Sequence, residues 1–282
     1  MSKIWFITGA ARGIGAEIAR AALAAGDKVV ATGRDRAKVA EAFAPYGERV
    51  LALALDVSSA PQALDAVAQA VAHFGRIDVL VNNAGYGQLG MFEQNTPQDI
   101  TGQFDTNVHG TFHVTRAVLP VMRRQRSGRI LNLSSIGGMI GFEGASVYCA
   151  AKFAVEGFSE SLALEVARFG IHVTIVEPGF FRTDFLDGSS VRYGALEIDD
   201  YAQASASMRG GYDNYSHQQP GDPVKLGRAL VQLAGAPKPP LRYAAGSDAQ
   251  QYLNGKLDTV RAELAEWRVL SLSTDHDDVA AA

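Results

Sequence analysis

The chain of 282 residues can hold one large α/β domain and, by length alone, two, and 47% hydrophobic against 20% charged residues fits a soluble globular protein with a substantial core. A formal net charge of −4 leaves no basic footprint for nucleic acid, and the single cysteine, Cys149, excludes an intrachain disulfide and suits a reducing compartment. No run of 18 apolar residues occurs, and Met1 is followed at once by an apolar run and a glycine turn with no space for a cleavable signal; a cytoplasmic protein without a membrane partner is expected.

In chain order, Ile4 to Ile7 reads as a strand, and Thr8-Gly9-Ala10-Ala11-Arg12-Gly13-Ile14-Gly15 leads into a helical pattern from Ala16 to Ala25. Glycines there let the backbone approach a pyrophosphate, and the helix N-terminus offers it unpaired N–H groups. The spacing Gly-x-x-x-Gly-x-Gly departs from the common dinucleotide fingerprint, so the loop alone fits a plain strand-to-helix turn equally well. Lys28 to Thr32 is a second strand, followed by Gly33, Arg34 and Asp35 and a helix from Arg36 to Ala44. An acidic residue at this strand end would take the ribose hydroxyls of NAD, and an arginine the 2′-phosphate of NADP. Arg34, with Arg12 as a second cation, favours NADP(H) over NAD(H), and Asp35 reads as the cap of the next helix.

Arg49 to Leu55 is a third strand ending at Asp56 and Val57, Ser58 to Pro61 caps a helix to about Phe74, and Ile77 to Val81 is a fourth strand ending in Asn82-Asn83-Ala84-Gly85. Such alternation predicts a parallel sheet with helices on both faces and its ligand at the carboxyl ends of the strands. A long helix from about Pro97 to Arg126 carries Asn107, polar within an apolar face, and His109 and His113, four residues apart. With no Glu after His109 and no further ligands, these read as helix-surface histidines, and no metal is expected.

Ile130 to Leu133 is the fifth strand. Ser135 follows it, and Tyr148 and Lys152 lie one turn apart at the start of a helix running to about Phe169. An ammonium beside a phenol favours the phenolate, which would make Tyr148 a general acid or base, and Ser135 could hold a substrate oxygen beside it. Tyr252 and Lys256 repeat the spacing without a serine and read as an ordinary surface pair. Ile171 to Val176 is the sixth strand, closed by Glu177-Pro178-Gly179. Periodicity then dissolves from Phe180 to about Pro220, which reads as a mobile substrate lid, with disorder the competing reading. Asp222 to Ala234 is helical, Leu241 to Ala244 a last strand, Ser247 to Leu270 a helix, and 273–282 a frayed tail.

Taken together, Thr8-Gly9-x-x-x-Gly13-x-Gly15, Asp56, Asn82-Asn83-Ala84-Gly85, Asn107, Ser135, Tyr148-x-x-x-Lys152 and Pro178-Gly179-x-x-x-Thr183 resemble the short-chain dehydrogenase/reductase family over roughly residues 3–183. The resemblance implies a three-layer Rossmann fold in one domain, its doubly wound seven-stranded parallel sheet ordered 3-2-1-4-5-6-7, with a substrate lid after strand 6. It implies that Tyr148 is the acid/base, that Ser135 holds the carbonyl oxygen, that Lys152 binds the nicotinamide ribose and lowers the phenol, and that Asn107 anchors a relay water. Gly9, Arg12, Gly13, Ile14, Gly15, Arg34, Asp56, Val57, Asn83, Ala84, Gly85, Pro178, Gly179 and Thr183 would line the cofactor with Tyr148 and Lys152, Asp56 and Val57 at the adenine and Thr183 at the carboxamide. Members are commonly dimers or tetramers, so a homo-oligomer is expected.

The residues after Thr183 choose the substrate. Phe180, Phe181, Phe185, Leu186 and Tyr193, with Met91, Phe92 and Met139, predict an apolar pocket for a bulky ketone or secondary alcohol, or alternatively simple packing of the lid. The chain is similar to the hydroxysteroid and retinol dehydrogenase branch. The leading expectation is an NADPH-dependent carbonyl reductase. An NAD-dependent alcohol dehydrogenase working oxidatively is the second, and a catalytically silent nucleotide-binding regulator, against which the intact Ser135, Tyr148 and Lys152 count, is the third.

Overall fold

The computed structural model describes residues 2–188 and 190–276. In chain order the first half gives β1 (Ile4–Ile7), α1 (Gly13–Ala24), β2 (Lys28–Gly33), α2 (Arg36–Ala42), β3 (Val50–Ala54), α3 (Ala60–Phe74), β4 (Val79–Asn82), β5 (Gly87–Leu89), α4 (Pro97–Phe104) and α5 (Gly110–Gln125). The second half gives β6 (Gly128–Leu133), α6 (Ser146–Val166), β7 (Ile171–Pro178), β8 (Val191–Tyr193), α7 (Ala202–Tyr215), α8 (Pro223–Gly235), β9 (Arg242–Ala245), α9 (Ser247–Glu266) and α10 (Arg268–Leu272).

Seven strands form one parallel sheet in the order β3-β2-β1-β4-β6-β7-β9. With the two short strands β5 and β8 set aside, this is the expected connectivity. The strands are apolar on both faces because helices cover both. Along β1, Ile4 and Phe6 enter one core with residues of α3, α5 and α6, while Trp5 and Ile7 enter the other with residues of α1, α2 and α8. Two neighbours in sequence thus serve opposite layers, as the period of two dictates.

The main departure lies after β7. In place of an unstructured stretch, β8 pairs in parallel with β5, and α7 occupies Ala202–Tyr215. Three-residue strands are too short to show a period in sequence, and α7 carries two glycines, Gly210 and Gly211, that weaken a helical signal. The predicted helix from Pro97 to Arg126 is also interrupted. Residues Asp105–His109 make a wider, π-type turn, with the Gly110 N–H reaching back to the Asp105 carbonyl. Most of the predicted frayed tail, 277–282, lies outside the described residues. No helix among the described residues is long and apolar enough to cross a membrane.

Candidate active site

The expected site residues lie at the carboxyl ends of β1, β2, β3, β4, β6 and β7, with Asn107 in the turn before α5 and Tyr148 and Lys152 on α6. The glycine loop is tied to the turn after β4 by Thr8, whose hydroxyl accepts from Asn83 N at 2.9 Å and Ala84 N at 3.0 Å. Asn83 returns its side-chain amide to the carbonyls of Thr8 and Gly9, at 2.9 and 3.1 Å. Gly9 has φ of 64°, and a methyl on Gly15 would overlap the Gly9 carbonyl and the Asn83 amide. Arg12 supplies no side-chain cap to α1. A close-set glycine turn before an uncapped helix N-terminus is a cradle that fits a dinucleotide pyrophosphate. Thr183 stands across this cradle, its Cβ 4.0 Å from where a Gly13 Cβ would sit.

At the end of β2, Asp35 caps α2, its carboxylate accepting from Ala37 N at 2.9 Å and Lys38 N at 3.3 Å. Arg34 is exposed. Arg12 is turned elsewhere, donating to the Ser190 hydroxyl at 2.8 Å across the segment after β7. The Asp56 carboxylate accepts from the N–H and hydroxyl of Ser58, at 3.0 and 2.7 Å. His113 is half-buried, and its Nδ1 lies 3.1 Å from the Val57 carbonyl, which puts the ring proton on that nitrogen. His113 therefore supports the Asp56–Val57 turn and is not the plain surface histidine expected. His109 is the exposed one, 3.0 Å from Asp105.

Tyr148 and Lys152 stand one turn apart on α6, with the Lys152 Nζ 5.8 Å from the centre of the Tyr148 ring. The ammonium donates to the Leu133 carbonyl at 2.7 Å, at the end of the strand that delivers Ser135. Ser135 Oγ accepts from Gly137 N at 3.1 Å and faces the phenol. A methyl on Gly137 would come within 3.1 Å of the Tyr148 ring. Asn107, in the π-type turn, clasps Tyr86, accepting from its N–H at 3.1 Å and donating to its carbonyl at 3.0 Å.

Burial pushes the Tyr148 phenol up to about 12, with Ser135 opposing, and pushes the Lys152 ammonium down to about 8, with Glu156 opposing. In this structure burial thus outweighs the lowering expected from the neighbouring ammonium. Tyr148 holds its proton at neutral pH.

Beside Tyr148 lies an apolar cluster of Leu89, Ala145, Cys149, Leu186 and Val191, with Phe185, Tyr193 and Tyr212 packed on it. A cavity of about 400 Å³ opens next to it, its walls including Phe180, Met208, Tyr212 and Tyr215, with Glu143 at the rim. Of the residues expected to form the pocket, Phe180 lines the cavity, and Phe185, Leu186 and Tyr193 join the cluster. Phe181 instead packs into the sheet core, Phe92 points outward at 63% exposure, and Met139 packs with Phe180 and Leu253 near α9. Met208 and Tyr212 lie on α7, which sequence periodicity did not reveal.

Three further supports escaped the sequence reading. Asn82 donates to Asn132 at 2.8 Å, and Asn132 to Ser159 at 2.8 Å, a buried bridge from β4 through β6 to α6. Asp248 accepts from Phe180 N at 2.7 Å and fixes the Pro178-Gly179 turn. Glu156, one more turn along the Tyr148–Lys152 stripe, is buried and paired with Arg242. Only Glu156 had a signal in sequence, namely the same spacing carried one step further.

The family model described as short chain dehydrogenase matches residues 3–192. The chain belongs to the short-chain dehydrogenases. It is accordingly a dehydrogenase/reductase acting on CH–OH and C=O groups of small molecules. A short-chain dehydrogenase from Streptomyces avermitilis is 43% identical, with a TM-score of 0.90 over 98% of this chain and 100% of the other. A 3-ketodihydrosphingosine reductase of Bacteroides thetaiotaomicron is 38% identical over 86% of this chain and 88% of its own. The structure of ElxO with NADP bound is 28% identical, with a TM-score of 0.69 over 83% of this chain and 92% of the other. This short-chain dehydrogenase thus shares its family with a protein that binds NADP and with a keto reductase.

Proposed function

We propose that this short-chain dehydrogenase reduces a bulky, apolar ketone to the secondary alcohol, with NADPH as its cofactor. The observation that carries this reading is the Tyr148 phenol faced by the Ser135 hydroxyl, with Lys152 one turn along α6. A protonated phenol placed there can give its proton to a carbonyl oxygen that gains negative charge. Bound NADPH supplies the hydride. The Ser135 hydroxyl donates to the substrate carbonyl oxygen and positions it against the phenol. Tyr148 then passes its proton to that oxygen as the alcohol forms. Lys152, anchored on Leu133, keeps positive charge beside the phenolate left behind, and Asn107 holds the Gly85–Tyr86 turn that walls the site.

Asp35 supports the choice of NADPH. Its Oδ1 accepts from two backbone N–H groups of α2, and Arg34 stands exposed beside it at the end of β2. The NADP in ElxO agrees with this reading, and the apolar cluster packed beside Tyr148 agrees with an apolar substrate.

The test is loss of nicotinamide absorbance with a panel of aryl and long-chain ketones, offered with each cofactor. NADPH should be consumed faster than NADH, and Tyr148→Phe should abolish turnover while keeping NADPH binding. Full activity of Tyr148→Phe would remove the phenol from the mechanism. Cofactor binding without turnover of any ketone or alcohol would favour a silent nucleotide-binding protein.

A further inference from the structure

Behind the proposed proton path lies a buried charged cluster for which the reaction as described has no use. Glu156 follows Lys152 by one turn of α6 and is only 4% exposed. On one side stands Ser134, also buried, at the end of β6. A methyl on Gly138 would overlap the Ser134 hydroxyl and come within 2.8 Å of Glu156 Oε1, so nothing but a glycine fits between this pair and the turn after Ser135. On the other side Arg242 of β9 pairs with Glu156, with Glu177 of β7 at 2.6 Å and with Glu160 of α6 at 2.7 Å. Glu177 is 2% exposed. Three carboxylates therefore share one guanidinium, and Glu156 is the one of them that follows Lys152 by a single turn of α6.

We propose that Glu156 is a positioning residue for Lys152, holding the buried lysine in its charged form from one turn below, while Arg242 keeps the Glu156 carboxylate ionised and in place. The inference rests on the assignment of Lys152 to the proton path. An ammonium at 8% exposure loses most of its hydration, and a single carbonyl, that of Leu133, replaces only part of it. A carboxylate one helical turn away supplies the opposing field, and Glu156 is the acidic group that acts on Lys152 in this direction. Burial raises the Glu156 carboxyl, and Arg242 counters that rise. The groups facing the pair are Tyr148 and Glu160 on α6, Ser134 beside β6, Glu177 on β7 and Arg242 on β9.

The experiment reads the charge of Lys152 directly and needs no substrate, so its outcome is independent of which carbonyl is reduced. Lysine side chains of the whole chain are labelled with ¹³C and ¹⁵N, the Lys152 signal is assigned from its loss in Lys152→Arg, and its titration is followed by NMR in wild type, Glu156→Gln and Glu156→Asp. Glu156→Gln keeps shape and removes charge, and should lower the Lys152 midpoint by about one pH unit or more, given the Coulomb attraction at this spacing. Glu156→Asp keeps charge and loses a methylene, and should stay nearer to wild type. A Gln variant with the wild-type midpoint overturns the proposal. So does a larger shift in Asp than in Gln, since that order would mark a role in packing alone. The pH profile of ketone reduction by Glu156→Gln should shift in the same direction as the NMR midpoint.

Discussion

At the scale of single residues the site is decided by which charges are already engaged. Asp35 caps the first turn of α2 through Oδ1, and Arg34 stands exposed beside it. A charge-assisted hydrogen bond contributes about 1.5 to 3 kcal/mol, so Arg34→Ala should weaken NADPH roughly 10- to 100-fold and leave NADH nearly unchanged. The ratio of kcat/KM for the two cofactors measures this, and an unmoved ratio would pass the ribose contact to another residue. A matching substitution at Gly33 is a poor route to NADH, because a Cβ there would come within 2.9 Å of buried Val39. Arg12 is already bonded to Ser190, so its share in phosphate binding requires that bond to be exchanged. Lys152 gives a second prediction. Its folded-state value, about 8, lies below the 10.5 of a free side chain, so the folded chain sheds this proton first. Stability is therefore reduced below about pH 8 and recovered as pH rises toward 10.5. Compared with Lys152→Met, wild type should gain about 2 kcal/mol between pH 8 and pH 10, read from urea midpoints. A constant difference between the two proteins would mean that the lysine is not depressed.

Among the elements, those legible from sequence are the ones that carry a period. All seven strands of the main sheet were read within about two residues of their ends, because their apolar runs are bounded by glycines and caps. Asp35 and Ser59 do cap the helices that follow them, and Asp222, read as the first residue of its helix, is that helix's cap. What stayed hidden depends on contacts between distant segments. The β5–β8 pair joins residues about a hundred positions apart, and the π-type turn at Asn107 looks in sequence like any helical stretch. Gly110 follows that turn and packs closely against the chain just after β3. A methyl there would come within 2.6 Å of Val57 Cγ2, so α5 lies directly on the Asp56–Val57 turn. Gly110→Ala should thus destabilise the fold by about 1 to 3 kcal/mol, despite the better helix propensity of alanine, and weaken NADPH binding as the turn shifts. A variant as stable as wild type in thermal melts would show that the turn yields without cost. The segment from 180 to 220, read as a lid, packs through its first part and is lightly packed along α7. The β5–β8 pair and the Ser205 bond to Gln94 at 2.8 Å hold it, while Ser205 is the one buried residue of α7. Trypsin cleavage at Arg209 should slow when cofactor and substrate are both present, because closure excludes water from the site. Equal rates with and without ligands would argue against a lid.

For the whole molecule, α6 links the interior to the surface. One face of α6 presents Tyr148, Lys152 and Glu156 to the site, and a face about a third of a turn round the helix leaves Phe153 at 46% and Leu164 at 81% exposure. These two lie eleven residues apart, about three turns of a helix, so they fall on one stripe. Gly157 lies between them with open space where its side chain would be, which flattens the stripe. Exposed large apolar side chains aligned in this way mark a contact surface more readily than scattered ones do. The homo-oligomer expected from the family resemblance would bury this stripe, and a two-fold axis would set the same face of a second copy against it. Leu164→Glu places like charges opposite each other across such an axis and should shift the protein to a smaller species in sedimentation velocity at micromolar concentration. Its catalytic activity should fall with the loss of assembly, since α6 would lose the partner that braces it, and both effects should lessen as protein concentration rises. A wild type that sediments as a monomer, or a Leu164→Glu variant that keeps the wild-type mass, would place the interface elsewhere.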